Sequence, residues 1–375
     1  MSDVLPLGRI KNGATRLEDI TTLGVGSTFL SLHECHTEEE LIDVVRRADE
    51  TGVRVLIIGG ASNIVPSDDP FEGIIVRDMR QGIRVYSRGN MEKNDDDNIC
   101  VDAGCGWDTF VAWSVEEGYS GLEALSGIPG TVGAAPVQNI GAYGCDVSQY
   151  IVSLRTYDRF ARRVCDISAE ELGFGYRTSI LKESAREPLY FPSPRYIVLE
   201  VTFRLKKSFM SSPVMYGQLA EHLGIDKGQS CETRQVRDAV IHVRSSKGMV
   251  LDDDDRDTYS CGSFFTNPVI TEEQAKALPE NAPRYRYVKE GNDDVGAAAP
   301  EEGWVKTSAA WLIDHAGFPA GYQGQNGAAL SSKHCLALTN QGGARAGDIR
   351  QLAAHIQEGV EKTFGVSLVP EPVML

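Results

Sequence analysis

The sequence predicts an α+β protein of two or three domains, and three observations carry that expectation. At 375 residues the chain exceeds what one hydrophobic core usually serves, and 42% hydrophobic residues suffice for more than one. A helix, a buried strand and a glycine turn succeed one another from Thr37 to Asn63, and alternating segments at 151–157 and 196–205 read as β structure. From about residue 213 the texture turns helical, with 3.6-residue periodicity at 235–243, 272–278, 308–316 and 349–364.

Each element has a local cause. Thr37 and Glu40 form a capping box for a helix whose apolar face is Leu41, Val44, Val45 and Ala48 and which ends near Gly52. The apolar run 53–58 then enters Gly59-Gly60-Ala61-Ser62-Asn63, a turn suited either to cradling a phosphate or simply to reversing the chain. Neither this turn nor Gly104-Cys105-Gly106 completes GxGxxG, so a conventional Rossmann fingerprint is absent. Residues 86–98 form a polar excursion before a strand at 99–103. Asp108 is expected to cap a helix that runs through Val115 and stops by Gly118. In the last helix Ile349, Leu352, Ala353, Ile356 and Val360 share one face, and Gly365 ends it. Two polar insertions interrupt the second half. Residues 252–257 hold five aspartates and one arginine without the glycine and distal glutamate of a calcium loop, which predicts a solvated loop, and 289–302 reads as a surface segment.

Charge and composition exclude several function classes. Thirty-seven basic against fifty-three acidic side chains give a net charge of −16, which repels nucleic acid and anionic membranes. No apolar run approaches membrane-spanning length and the N-terminus lacks a secretory pattern, so a cytoplasmic protein is expected. A monomer is expected, with no motif of the sequence behind it. The eight cysteines form no CxxC pair and read as buried thiols, Cys261 being the one nearest reactive groups.

The most informative stretch is SGIPGTVGAAPVQNIGAYG, residues 126–144, with five glycines, two prolines and no charge. Solvated loops are polar, whereas this one offers small side chains and backbone amides, as a surface for a large ligand or a tight crossover would. Three further segments set one reactive side chain among glycine, aromatic or apolar neighbours: Arg177 in GYRTS, Ser263 in CGSFFTNP and Glu371 in VPEP. Singly, these are equally an ion-pair partner, a cap and a chain-end charge. None of the seven histidines lies in them, which disfavours serine–histidine hydrolysis and a histidine metal centre; no metal is expected.

Taken together, the glycine loop, FGYRTSILK, GSFFTNPV, KTSAAWLIDHAG and LVPEPV occur in the order and spacing of the UDP-N-acetylenolpyruvoylglucosamine reductases, a resemblance spanning Thr21 to Glu371. Tyr216 in VMYGQL resembles the subclass with a tyrosine-bearing substrate loop. The resemblance implies a noncovalent FAD site in a fold similar to the vanillyl-alcohol oxidase (PCMH) type, a C-terminal α+β substrate domain, and NADPH-dependent reduction of UDP-N-acetylglucosamine enolpyruvate to UDP-N-acetylmuramate for peptidoglycan precursors. It implies an FAD-binding region at 1–208 in two lobes, 1–78 and 79–208, a substrate domain at 209–366, and a tail at 367–375 that returns Glu371 to the site.

By the same resemblance, the flavin is held by Thr22, Gly24, Gly59, Gly60, Ala61, Ser62, Asn63, Ser126, Gly127, Ile128, Pro129, Gly130, Thr131, Gly133, Ala134, Asn139, Gly141, Ala142 and Tyr143. Arg177 and Glu371 match the positions that stabilise the enolate, and Ser263 matches the proton donor. Tyr176, Tyr216, Lys247, Gly262, Asn267 and Lys306 match substrate contacts; Arg244 is a further candidate for the anionic nucleotide sugar, and Arg237, on the same helix, reads as solvated. The chain departs from the pattern at Ala61, where a glycine is common, at Val373, where many relatives carry arginine, and in a longer acidic loop after Lys247. Another flavoenzyme on this scaffold and a non-catalytic nucleotide-sugar binder are the rival readings.

Overall fold

The computed structural model describes residues 4–86, 96–287 and 303–375. Residues 96–98 of the expected polar excursion already belong to the strand Asp96–Asp102; its remainder at 87–95 and the segment at 289–302 lie outside the described residues. The chain divides into two compact units, and neither is a continuous stretch of sequence. The first takes the residues before Ile10, Phe29–Gly60 and Glu72–Ser246; the second takes Ile10–Thr28, Ala61–Phe71 and Lys247–Leu375.

In the first unit, the helix Glu38–Thr51 begins as its sequence dictates. The Thr37 hydroxyl accepts from the Glu40 amide at 3.1 Å, the Glu40 carboxylate accepts from the Thr37 amide at 3.3 Å, and Gly52 closes the helix at φ +71°. Leu41, Val45 and Ala48 are buried against Val55 and Val76 of a three-stranded sheet ordered Phe29–Cys35, Phe71–Asp78, Arg54–Ile58, the last two strands being parallel. A larger antiparallel sheet runs Arg163–Ser168, Ile151–Asp158, Tyr196–Lys207, Asp96–Asp102, Ile83–Tyr86, with Tyr119–Ser120 paired to the end of its long strand. On it packs the helix Trp107–Glu116, whose Phe110 ring centroid lies 4.9 Å from that of Phe203.

That helix corrects two expectations. Its N-cap is Gly106, and Asp108 sits inside the first turn, 4% exposed, where it takes a bidentate ion pair from Arg237 at 2.6 and 2.8 Å. Arg237 is therefore not solvated; only 1% of it is exposed. The second pair of Asp108 contacts, from the amides of Gly127 (2.8 Å) and Leu5 (3.1 Å), leaves its carboxylate fully used. The ion pair and the apolar cluster of Val236, Ala239 and Val240 with Val214, Leu219 and Ala220 tie the helix Thr233–Ser246 into the first unit, so the change of unit falls after Ser246 rather than near residue 208.

The second unit builds its core from three separated stretches: Leu23 and Val25, then Val65, then Phe264, Phe265, Leu312, Ile313, Ile349, Leu352 and Ile356. Its small antiparallel sheet is ordered Val269–Thr271, Trp304–Thr307, Arg284–Arg286, and the helix Ala346–Phe364 buries the face expected of it, with Gly365 at φ +64°. The tail strand Val373–Met374 pairs in parallel with Ile64–Val65. Among the described residues no helix is long and apolar enough to cross a membrane.

Candidate active site

The glycine loop and the turn after Ile58 meet inside the first unit. A Cβ at Gly60 would overlap the Leu7 carbonyl and lie 3.1 Å from the Gly130 Cα; one at Gly59 would lie 2.7 Å from the Thr131 hydroxyl oxygen. Glycine is needed there so that two backbones can touch. The loop is itself held from beneath: the Gly127 amide donates to Asp108, that of Gly130 to the Leu7 carbonyl (2.8 Å) and that of Val132 to Cys105 (2.8 Å). Ser126 is wholly buried and its hydroxyl donates to the Glu123 carbonyl at 2.7 Å.

The turn residues Gly60, Ala61 and Ser62, by contrast, make no hydrogen bond through their amides to any described residue. Ala61 takes the left-handed conformation, φ +49°, that a glycine would adopt without strain. Successive amides around a left-handed residue form a concave anion-binding surface, so the donor set fits a pyrophosphate such as that of FAD. Ala61 thus keeps the turn that glycine would make instead of reshaping it. Substituting Ala61→Gly is expected to raise stability by about 0.5–1 kcal/mol, since the Cβ strain is about 1–2 kcal/mol and added unfolded-state freedom takes part of that back. Urea unfolding monitored by tryptophan fluorescence checks this; an unchanged or lower midpoint would mean that the alanine is not strained.

Arg177 occupies an equally unusual backbone. Gly175 and Thr178 exchange hydrogen bonds across a turn in which Arg177, at the third position, has φ +55°, again a place for glycine. Holding an arginine there costs about 1–3 kcal/mol, a strain found where a side chain must be aimed. The Gly175 carbonyl accepts from the Asn139 side-chain amide (3.1 Å), and the Lys182 ammonium donates to the Arg177 carbonyl (3.1 Å). Asn139, expected at the flavin, is wholly buried, and its carbonyl oxygen also accepts from the Ser148 amide at 3.1 Å, so it braces the arginine turn. The Arg177 guanidinium returns to the glycine loop, donating to the carbonyls of Asn139 (3.0 Å) and Gly141 and to the Asp146 carboxylate (2.9 Å). It also lies 5.3 Å from the ring centre of Tyr176.

In the second unit the backbone brings Ser263 and Glu371 together. The Glu371 amide donates to the Phe264 carbonyl at 2.9 Å, Thr266 donates to Val369 at 3.1 Å, and Phe265 bridges Pro370 in antiparallel register, so Glu371 lies opposite Phe264, one residue from Ser263. On its other edge the tail bonds to the end of the turn at 59–63, the Val373 amide donating to the Asn63 carbonyl at 2.9 Å. The tail thus has the backbone of Phe264 and Phe265 on one side and Asn63 on the other. Phe264 and Phe265 anchor the serine segment in the core at 0% and 1% exposure, while Ser263 and Glu371 are half-buried. Gly262, at φ +67°, supplies the bend before the serine.

Thr22 is wholly buried and its hydroxyl donates to the Ser260 carbonyl at 2.7 Å, and Gly24 lies against Tyr259 and the Asn340 side chain. Asn267 accepts from the Ala309 amide (3.0 Å) at the start of the helix Ala309–His315, and Lys306 pairs in register with Val269 two residues away. Tyr216 precedes the short helix Gly217–Leu223 and meets Tyr143 of the glycine loop edge-to-face at 5.2 Å, joining one expected substrate residue to one expected flavin residue. Burial depresses the Arg244 guanidinium, and Tyr143 and Asp108 counter it. Near Lys247, burial and the lysine's own charge push His334 down to about 4, leaving a neutral imidazole at neutral pH.

One further expectation changes and another holds. The acidic stretch 252–257 is not wholly solvated: Asp257 is 5% exposed and accepts from the Ser332 amide (2.9 Å), the Ser332 hydroxyl (2.6 Å) and Gln341 (3.2 Å). No cluster of metal-ligating side chains occurs among the described residues. Cys261 is packed rather than reactive. Its thiol donates to the Ile64 carbonyl at 3.3 Å, and burial pushes it up to about 12. Sequence reasoning overlooked Asp146, although it is the first charged side chain after Glu123 and closes the uncharged loop.

Comparison with known proteins accords with this geometry. Residues 254–375 match the family model of the UDP-N-acetylenolpyruvoylglucosamine reductase C-terminal domain, and residues 30–160 match an FAD-binding domain. The UDP-N-acetylenolpyruvoylglucosamine reductase of Thermobifida fusca is 45% identical over 363 residues, covering 96% of both chains, and that of Nocardia farcinica is 44% identical, covering 96% of this chain and 88% of the relative. The solved UDP-N-acetylenolpyruvylglucosamine reductase of Thermus caldophilus shares the fold, with a TM-score of 0.60 at 24% identity over 96% of this chain and 97% of that one.

Proposed function

The chain belongs to the UDP-N-acetylenolpyruvoylglucosamine reductase family, and from that premise we propose that it reduces the enolpyruvyl ether of UDP-N-acetylglucosamine to UDP-N-acetylmuramate, a peptidoglycan precursor, with FAD as cofactor and NADPH as electron source. The observation that carries this reading furthest is the tail strand, which sets Glu371 beside the Ser263 segment and bonds to the end of the phosphate turn. The amides of Gly60, Ala61 and Ser62 and the loop from Gly127 to Gly144 would hold FAD; when bound, it supplies a hydride obtained from NADPH.

The chain's own residues manage charge and protons. Hydride addition to the terminal vinyl carbon leaves negative charge on the carbon beside the carboxylate, spread into that carboxylate as an enolate. A fixed cation at Arg177 and a carboxyl at Glu371 able to share a proton stabilise that charge more than they stabilise the substrate, which is what lowers a barrier. The Ser263 hydroxyl then gives its proton to the carbon, forming the C–H bond, and regains one from solvent; a weak acid suffices because the acceptor is strongly basic. Tyr176, Tyr216, Lys247, Asn267 and Lys306 hold the nucleotide sugar. That substrate is an anion, which a chain of net charge −16 can hold only by concentrating cations such as Lys247 and Lys306 locally, and the enzyme is taken to be cytoplasmic and monomeric.

Anaerobic stopped-flow absorbance tests the proposal. NADPH should bleach the flavin and the enolpyruvyl sugar should restore its colour in a single turnover. Reduced flavin that oxygen reoxidises rapidly while the sugar does not would favour an oxidase, and a colourless protein would favour a non-catalytic binder.

A further inference from the structure

We infer that Asp146 is a positioning residue for the reduction, acting through Arg177; the inference rests on the enolate-stabilising part proposed for that arginine. Asp146 ends the small hairpin Gly141–Ala142/Cys145–Asp146, in which it is the direct partner of Gly141. From there its carboxylate accepts from the Arg177 guanidinium at 2.9 Å, and the same nitrogen donates to the Asn139 carbonyl at 3.0 Å while its twin donates to the Gly141 carbonyl. Three acceptors that are not collinear fix the plane of a guanidinium. Only one of them, Asp146, is charged.

The surroundings are shaped for this pair. A Cβ at Gly141 would overlap the Asp146 carboxylate and lie 2.7 Å from the arginine nitrogen, so the glycine leaves the space in which the two meet. The arginine's backbone is strained at φ +55° and braced by Asn139 and Lys182. The ion pair is largely shielded, with the arginine side chain 16% exposed and the aspartate 26%. Its value lies in direction: an arginine that answers charge developing in the transition state must already be oriented when the charge appears.

The test uses the flavin-loaded Asp146→Asn and Asp146→Ala enzymes, with Arg177→Ala and the Arg177→Ala/Asp146→Ala double variant. Asp146→Ala should slow flavin reoxidation by the enolpyruvyl sugar about 100-fold, the scale of an ångström-sized misplacement. Flavin reduction by NADPH, flavin content and the calorimetric Kd for UDP-N-acetylmuramate should each stay within about threefold, a loss in kcat rather than in binding. Asp146→Asn, which keeps an acceptor of the same shape, should recover part of the rate. The double variant should be no slower than Arg177→Ala, because a residue that works through another has nothing left to position. Loss of flavin content or equal slowing of both half-reactions would overturn the inference in favour of a structural role, as would additive effects in the double variant. Should Arg177→Ala itself turn over normally, the part given to Arg177 fails; should Arg177→Ala be slow and Asp146→Ala fast, only the inference does.

Discussion

Replacing Ser263 with alanine is expected to leave flavin reduction by NADPH intact and to slow reoxidation by the enolpyruvyl sugar by about 10²–10⁴-fold, the usual worth of a positioned proton donor. The two half-reactions separate cleanly because only the second creates a carbon base. Ser263 lies in a segment fixed on both sides, by Phe264 donating to Leu336 at 2.8 Å and by Glu371 donating to Phe264 at 2.9 Å, so removing one hydroxyl leaves the backbone in place. Stopped-flow traces at the flavin band report both rates from one sample. Equal slowing of the two would show that the serine supports the flavin and is not the donor.

The second large effect concerns stability. Arg237→Met should destabilise the folded chain by about 3–5 kcal/mol, because it strands the Asp108 carboxylate in a setting where only 4% of the residue is exposed. Burial alone pushes Asp108 up, but Arg237 and the amides of Gly127 and Leu5 outweigh it and hold the carboxyl below its usual range. The sign follows from linkage. A folded-state value below the unfolded one contributes stability that is complete above the ordinary aspartate range, near pH 4, and is lost as pH falls through the folded value. Denaturation midpoints should therefore differ most between wild type and variant at neutral pH and converge in acid. A double change, Asp108→Leu with Arg237→Met, should cost less than the sum of the singles, as it removes both charges at once. The Gly127 amide loses its acceptor in the double variant, so flavin content should fall even where the protein folds. A sum of singles equal to the double would mean that the pair is not coupled.

Legibility of the chain followed the range of the interactions involved. The helix Glu38–Thr51 was readable because its cap, its apolar face and its terminating glycine all lie within sixteen residues, from Thr37 to Gly52. The helix Ala346–Phe364 was readable for the same reason, as were the flavin domain and the family, whose motifs are local strings. Asp108 was misread as a cap because an aspartate near a helix start usually is one, and its partner, Arg237, is 129 residues away. Arg237 was misread for the complementary reason: periodicity marks a charged position on a helix but not the buried carboxylate that meets it. The bond from the Asn139 side chain to the Gly175 carbonyl was not legible either, because the two residues are 36 positions apart. The change of unit near residue 246 was invisible because packing, not a linker of distinctive composition, defines it.

The threaded character of the second unit bears on how the protein can be handled. Its core takes Leu23, Val25 and Val65 from early in the chain, and its final strand lies against Ile64–Val65. A gene fragment beginning at Lys247 would carry the family's C-terminal signature yet lack three core side chains and the pairing partner of its own last strand. Expressed alone, such a fragment should be insoluble or partly unfolded, and dividing this enzyme for structural or inhibitor work calls for co-expression of the early segments or for a circularly rejoined gene.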